Sequence, residues 1–237
     1  MMLQGALIFS TNFFLFYLAA EHLTTGLIAV IFSTASAMTI LLNALLLRRK
    51  PALRVVLGVA LGIVGIGIIF RPELSHFSFQ AGAGLSLLLS IGGTVCFSLG
   101  SIVSARNRAA GFSVCGNTAW AMLYGVMLLC LFVLLRGKYF SFDLALPYVA
   151  SLAYLSLVGS VVAFAAYFAL LGRIETERAA YATVLFPVVA LTLSTFFEDY
   201  QWSGAAVLGV LLTLAGNTLV LKQPRKIAVR AAEKASL

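Results

Sequence analysis

Long apolar runs, separated by short polar clusters, form the pattern of this chain. A helix that crosses a bilayer needs about 20 mostly apolar residues, whereas a membrane β-strand needs about 10 residues of alternating polarity. The runs here are about 18 to 24 residues long and continuously apolar, which predicts spanning helices. Their approximate bounds are 3–20, 26–47, 53–70, 81–104, 116–135, 148–171, 179–197 and 204–222. The pattern therefore predicts an all-α, polytopic integral membrane protein with eight transmembrane helices.

Composition agrees with this interpretation. The 237 residues are 62% hydrophobic and only 10% charged, whereas a soluble domain is about 25% charged. A water-soluble globule and a disordered chain are therefore excluded. The first run lacks the cationic start of a signal peptide, so we interpret it as a span. Three cysteines without a spacing motif predict neither a metal site nor a disulfide framework, and no cofactor is predicted.

The charges predict an orientation. Sixteen Lys and Arg against eight Asp and Glu give a net charge of +8. If the loops alternate sides, 13 of the cations lie on one side of the membrane and 3 on the other. The positive-inside rule then places both termini in the cytoplasm. The basic excess is explained by orientation, and no nucleic-acid partner is predicted.

The chain also contains a weak internal repeat. With a shift of 151 residues, Leu57-Gly58-Val59 falls on Leu208-Gly209-Val210, and Gly65 falls on Gly216. The first three spans match the last three in length and spacing but run in the opposite direction, as in inverted-repeat transporters. We therefore predict an incomplete three-helix repeat over 1–70, a complete five-helix repeat over 81–222 and a basic cytoplasmic tail over 223–237. We also expect that the chain lacks the first two helices of a ten-helix protein, whether as a late-called start, a fragment or a natural short form.

The second copy carries a recognisable stretch. It runs from Ala182 through Pro187 to Ala190, continues as Phe197-Glu-Asp-Tyr200, and is followed by Gly209 and Gly216. With this stretch the chain resembles the EamA-like drug/metabolite transporter superfamily. The first copy departs from the pattern, with Ser36 at the position of Pro187 and Leu47 at the position of Glu198. The resemblance implies a multi-pass permease of a bacterial inner membrane that exports a metabolite or a drug.

Candidate substrate-binding residues are polar or aromatic side chains inside the spans, because repeat transporters bind their solutes near the midplane. The same residue types also join helices or mark the membrane interface, so each candidate has a purely structural alternative. The candidates are Asn12, Phe16, Tyr17, Ser33, Ser36, Trp120, Tyr124, Ser160 and Tyr167.

Three further features predict how the helices bend, end and pack. Pro187 predicts a kink that is either static or a hinge. Glu198 is interpreted as a boundary residue at the outer face in preference to a buried acid. Gly58 and Gly62 form a G-x-x-x-G motif that Gly65 extends, and with Gly209 and Gly216 it predicts close helix packing, within the chain in preference to a homodimer seam.

No ionisable residue lies near the middle of a predicted span, so a central proton relay is not predicted. Glu21, Glu198 and Asp199 are carboxylates at the outer span ends. The spans contain no catalytic arrangement and no phosphate-binding loop, so an enzyme is not predicted. The leading hypothesis is a secondary exporter of a small solute, with the lipid bilayer and that solute as its partners. A membrane scaffold or sensor and an inactive fragment are the alternatives.

Overall fold

The computed structural model describes residues 1–48, 51–69, 82–137, 142–163 and 176–221, and for residues 83, 160, 161, 176–186 and 221 it describes the backbone alone. The secondary-structure elements of these residues are all helices, with no strand, which confirms the all-α prediction for the described part of the chain. The predicted tail over 223–237 lies outside it.

The described helices coincide closely with the predicted apolar runs. They are α1 (Met2–Ala19), α2 (Thr25–Leu46), α3 (Leu53–Ile69), α4 (Ala83–Ala109), α5 (Val114–Leu135), α6 (Leu146–Tyr154, continued by Leu155–Val162), α7 (Thr176–Phe197) and α8 (Gly204–Leu221). Among the described residues, α1, α2, α4 and α5 are long and apolar enough to cross a membrane by length and composition. Helices suit such a chain because they satisfy their backbone hydrogen bonds internally.

Two helices contain wider, π-helical turns. Residues Gly5–Thr11 of α1 and Leu155–Val162 of α6 adopt this backbone. Such turns are rare, and where they occur they are frequent at functional sites. The two segments begin 150 residues apart and end 151 residues apart.

Helices α2 and α7 end in the same way. Arg48 and Asp199 have φ angles of 50° and 53°, the left-handed backbone that commonly stops a helix. They are the only residues other than glycine with positive φ in the described ranges, and they are 151 positions apart.

Helices α3 and α8 pack through glycines. A side-chain carbon added at Gly58 would lie 2.6 Å from the carbonyl oxygen of Gly216, and one at Gly65 would lie 2.5 Å from that of Gly209. The reverse approaches, from Gly216 to Gly58 and from Gly209 to Gly65, are equally close. Gly58 meets Gly216, whereas Gly65, further along α3, meets Gly209, which is earlier in α8. The two helices therefore run antiparallel.

Helix α4 carries a stripe of buried hydroxyl side chains, one of which contacts α2. Ser86, Ser90, Thr94 and Ser98 recur every fourth residue and are fully buried. Ser98 donates hydrogen bonds to the carbonyl oxygens of Thr94 (2.8 Å) and of Ala35 on α2 (3.2 Å). The stripe places the middle of α4 beside the middle of α2, where the candidate cavity lies.

Candidate functional site

A cavity of about 350 Å³ lies between α2, α3, α4 and α8. Its volume falls at the lower end of the range of about 300–1,000 Å³ for small-molecule sites. Its walls are mostly aliphatic, and among the described residues no charged side chain lines it. The lining residues are Ile31, Thr34, Ala37, Met38, Leu41, Gly58, Val59, Gly62, Ile63, Ile66, Ile91, Thr94 and Asn217.

Three of the lining residues carry polar groups. Thr34 lies where α2 is interrupted between Ser33 and Ala35, and its hydroxyl donates to the carbonyl oxygen of Ile31 at 2.7 Å. The Thr94 hydroxyl donates to the carbonyl oxygen of Ser90 at 2.8 Å. Asn217 is buried, and its Nδ2 donates to the Ser33 hydroxyl at 3.1 Å. The cavity thus has a few fixed polar atoms in an apolar wall, as expected of a small-molecule site.

None of the sequence candidates for substrate contact whose side chains the structure describes lines this cavity. Ser33 is the nearest, since it holds Asn217 from behind the cavity wall. Ser36 lies half-buried on α2 without lining the cavity. Trp120 and Tyr124 share a face of α5 with their ring centroids 6.1 Å apart, and Trp120 is 52% exposed. The side chain of Ser160 and all of Tyr167 lie outside the described residues.

Two candidates line a second, shallower depression of about 240 Å³. Phe16 and Tyr17 lie there with Phe13, Ala20, Thr25 and Ile28. The Phe16 ring also packs edge-on against Phe32 at 5.5 Å, whereas Tyr17 is 71% exposed. The depression therefore lies at the α1–α2 turn, at the end of α2 away from Leu41.

Asn12 lies on the side of α1 that faces Gly93 of α4. It is buried, and its Nδ2 donates to the carbonyl oxygen of Ile8 at 3.3 Å. Its Oδ1 atom is buried without a hydrogen-bond partner among the described residues. Asn12 is thus placed in a helix interface, at the end of the π-helical segment of α1.

Pro187 and Glu198 lie on α7 and directly after it. Pro187 is fully buried inside the helix. The Glu198 carboxylate accepts hydrogen bonds from the Thr25 amide (2.9 Å), the Thr25 hydroxyl (2.8 Å) and the Ser194 hydroxyl (2.6 Å). Ser194 in turn accepts a hydrogen bond from the amide of Gly26 at 2.8 Å. We call these four residues, Thr25, Gly26, Ser194 and Glu198, the Glu198 junction.

The Glu198 junction joins the end of α7 to the start of α2. The first amides of a helix have no partner within that helix, and its amino terminus favours negative charge. Partial burial raises the pKa of Glu198, but the hydrogen bonds from Ser194 and Thr25 outweigh this effect, and the pKa lies below its ordinary value. The ionised carboxylate therefore stabilises the contact between the two helices.

A second polar cluster, which the sequence analysis missed, ties α1, α4 and α5 at the opposite end of α1. The Gln4 side-chain oxygen accepts hydrogen bonds from Asn117 (2.8 Å) and Asn107 (3.1 Å). Asn107 also donates to Asn117 at 3.0 Å, and Gln4 and Asn117 are buried. The available signal was the amide residues at the ends of three apolar runs, a pattern that commonly joins membrane helices.

Sequence comparison agrees with this architecture. The model of the EamA-like transporter family matches residues 84–222, more than half of the chain. The chain belongs to the EamA-like transporter family. This confirms the resemblance to drug/metabolite transporters and makes the chain a multi-pass membrane protein of a transporter family. Within the described residues, no group of three or more His, Cys, Asp or Glu side chains is placed to hold a metal ion.

Two similar members of the superfamily have curated names. A probable amino-acid metabolite efflux pump of Escherichia coli K12 is 24% identical over 210 residues, which cover 86% of this chain and 69% of that protein. Protein PecM of Dickeya dadantii is 27% identical over 217 residues, which cover 91% of this chain and 71% of that protein. The similarity therefore extends beyond the part that the family model matches.

Proposed function

We propose that this protein is a secondary transporter that exports a small metabolite or drug-like solute by alternating access between two inverted repeats. The observation that carries the proposal is that helices of both repeats line one cavity. Helices α2 and α3 of the first repeat and α4 and α8 of the second meet around it. Inverted-repeat transporters bind their solutes at such an interface, near the midplane.

Backbone features at equal spacing support the two repeats. The π-helical segments, the left-handed residues Arg48 and Asp199, and the glycine contacts of α3 and α8 recur 150 or 151 positions apart. The contact of Gly58 with Gly216 becomes that of Gly209 with Gly65 when the copies are exchanged. A two-fold axis between antiparallel helices produces this reciprocity. It supports eight spans, with 1–70 and 81–222 as the two copies.

The name of the similar Escherichia coli protein supports efflux of a metabolite as the direction and solute class. The absence of charged side chains from the described cavity wall favours binding without ion pairing. We place the protein in a bacterial inner membrane, because the similar proteins named above are bacterial.

Efflux tests the transport proposal directly. Cells that express the protein are loaded with a panel of small metabolites and drug-like compounds, and efflux is compared with that from cells carrying the empty vector. We expect faster efflux of at least one compound, and loss of the difference in the poorly folding Gly216→Ala variant described below. Equal efflux of every compound, with wild-type protein present in the membrane, would contradict transport and favour a scaffold or sensor.

The orientation is tested with reporter fusions. Because cationic loops stay in the cytoplasm, reporters fused after Lys50 and after Lys222 are both expected to report a cytoplasmic position. A fusion after Gly137 is the matched control. Gly137 follows the last residue of α5, the end that the proposed orientation places outside, so this fusion is expected to report an external position. An external signal after Lys50 or Lys222 would overturn the proposed orientation.

A further inference from the structure

Gly62 differs from the glycines on either side of it in α3. A side-chain carbon added at Gly58 or Gly65 would meet the backbone of α8, whereas one added at Gly62 would meet only the Thr34 methyl, at 3.6 Å. Position 62 is rotated by about 40° around the helix from position 58, because each residue advances about 100°. Gly62 is buried, and it lines the cavity. A larger side chain there would enter the cavity and leave the α3–α8 contact in place.

The polar atoms of the cavity wall are mainly acceptors. The hydroxyl hydrogens of Thr34 and Thr94 are engaged by the carbonyl oxygens of Ile31 and Ser90. Asn217 uses one Nδ2 hydrogen on Ser33. What these residues still offer is mostly oxygen lone pairs, which accept from a solute N–H or O–H group.

The electrostatics of the wall restrict the solute further. Burying an unpaired charge in an apolar cavity is costly, and the described lining residues supply no counter-charge. A neutral molecule with an apolar body and a hydrogen-bond donor matches this wall best. Simple primary amides have these properties, and their alkyl chain can be lengthened one methylene at a time.

We propose that the cavity takes neutral, largely apolar solutes that carry a hydrogen-bond donor, and that the missing side chain of Gly62 sets the largest solute admitted. The proposal rests on the transport function proposed above. It makes Gly62 a determinant of specificity, although its motif also fits simple helix packing.

The test compares Gly62→Ala and Gly62→Leu with Gly67→Ala and Gly67→Leu. Gly67 lies on the same helix, is exposed, and has nothing within 4 Å of an added carbon. Both positions gain the same helix propensity when glycine is replaced. Efflux of primary amides of increasing chain length is measured from proteoliposomes containing the full chain, with the zwitterionic and charged compounds of the panel alongside.

We define the size limit as the longest primary amide that is exported. The wild type and both Gly67 variants are expected to have the same size limit. We expect Gly62→Ala to shorten the limit by about one methylene, and Gly62→Leu to reduce efflux of the longest accepted amide at least about tenfold, since one methylene in a tight pocket changes selectivity about 10- to 200-fold. An unchanged limit in both Gly62 variants would overturn the proposal. So would misfolding of both Gly62 variants while both Gly67 variants fold, because that result would assign Gly62 to packing.

The panel separates this proposal from the transport function. Efflux of charged compounds without efflux of amides overturns the solute class and leaves transport intact. A lack of efflux for every compound overturns both proposals.

Discussion

Replacing Gly216 with alanine is expected to destabilise the protein by about 3 kcal/mol, the upper end of the usual cost of overpacking. The added carbon would press on the carbonyl oxygen of Gly58 and lie 3.0 Å from the amide nitrogen of Gly62. Both atoms belong to the backbone of α3, so a change of rotamer cannot relieve the contact and the helices must separate. The loss should appear as a lower thermal unfolding midpoint and a lower yield of monodisperse protein in detergent.

Two variants make this expectation specific. Gly65 lies on α3 in the same contact between α3 and α8, and its added carbon would meet the carbonyl oxygen of Gly209 at 2.5 Å. Gly65→Ala should therefore destabilise as much as Gly216→Ala. Gly67→Ala adds the same methyl in open space and should be neutral, or stabilising by up to about 1 kcal/mol through helix propensity. A Gly216→Ala protein as stable as Gly67→Ala would contradict the close packing of α3 and α8.

Replacing Glu198 with alanine is expected to cost about 2 kcal/mol. Hydrogen bonds to a charged group contribute about 1.5–3 kcal/mol each, but Glu198 is only half-buried and water replaces part of the loss. The variant leaves the Thr25 amide and the Ser194 hydroxyl without their carboxylate. Glu198→Gln keeps one acceptor oxygen and should lose about half as much. Both losses are measured as changes in the thermal unfolding midpoint of purified protein.

The matched control is the neighbouring carboxylate. Asp199→Asn removes a charge from the same turn, and asparagine tolerates the positive φ of that position. We expect this variant to have the same thermal unfolding midpoint as the wild type. If Asp199→Asn lowered the midpoint as much as Glu198→Ala, the effect would come from charge at this end of the molecule, and the Glu198 junction would lose its assigned role.

The same residue predicts a pH dependence. Because the pKa of Glu198 is lowered in the folded protein, the unfolded chain binds the proton more readily. The stabilisation is therefore complete above the ordinary glutamate pKa of about 4.3 and is lost as the pH falls through the lower folded value. The difference in stability between wild type and Glu198→Gln should shrink over that acid range. A constant difference would show that the carboxylate charge is not what stabilises the junction.

The positions of the helices could be predicted from the sequence because the bilayer requires long apolar segments. Helices α1, α2, α4 and α5 lie within a few residues of their predicted bounds. Polar residues mark the ends for the same reason, and Glu198 directly follows the last residue of α7. The sequence did not indicate that Glu198 contacts Thr25, because the two residues are 173 positions apart.

The cavity was not predictable in the same way. In a soluble protein the apolar face of a helix identifies the core, but lipid is as apolar as the protein interior, so hydrophobicity does not distinguish the faces of these helices. Aromatic residues such as Trp120 were predicted to contact the solute although the structure exposes them, whereas Thr94, which lines the cavity, was not among the candidates. The period-four hydroxyl stripe of α4 was the one available hint.

The sequence by itself determined that this is a helical membrane protein and which family it belongs to. The tertiary structure decided which glycines meet which, because Gly58 and Gly65 turn towards α8 while Gly62 turns into the cavity. Gly62 is rotated around the helix by about 40° from Gly58 and by about 60° from Gly65, and this separates the two roles. Helix geometry fixes these angles, but contacts between residues distant in the chain set how α3 as a whole is turned about its axis, and so only packing decides which glycines face α8.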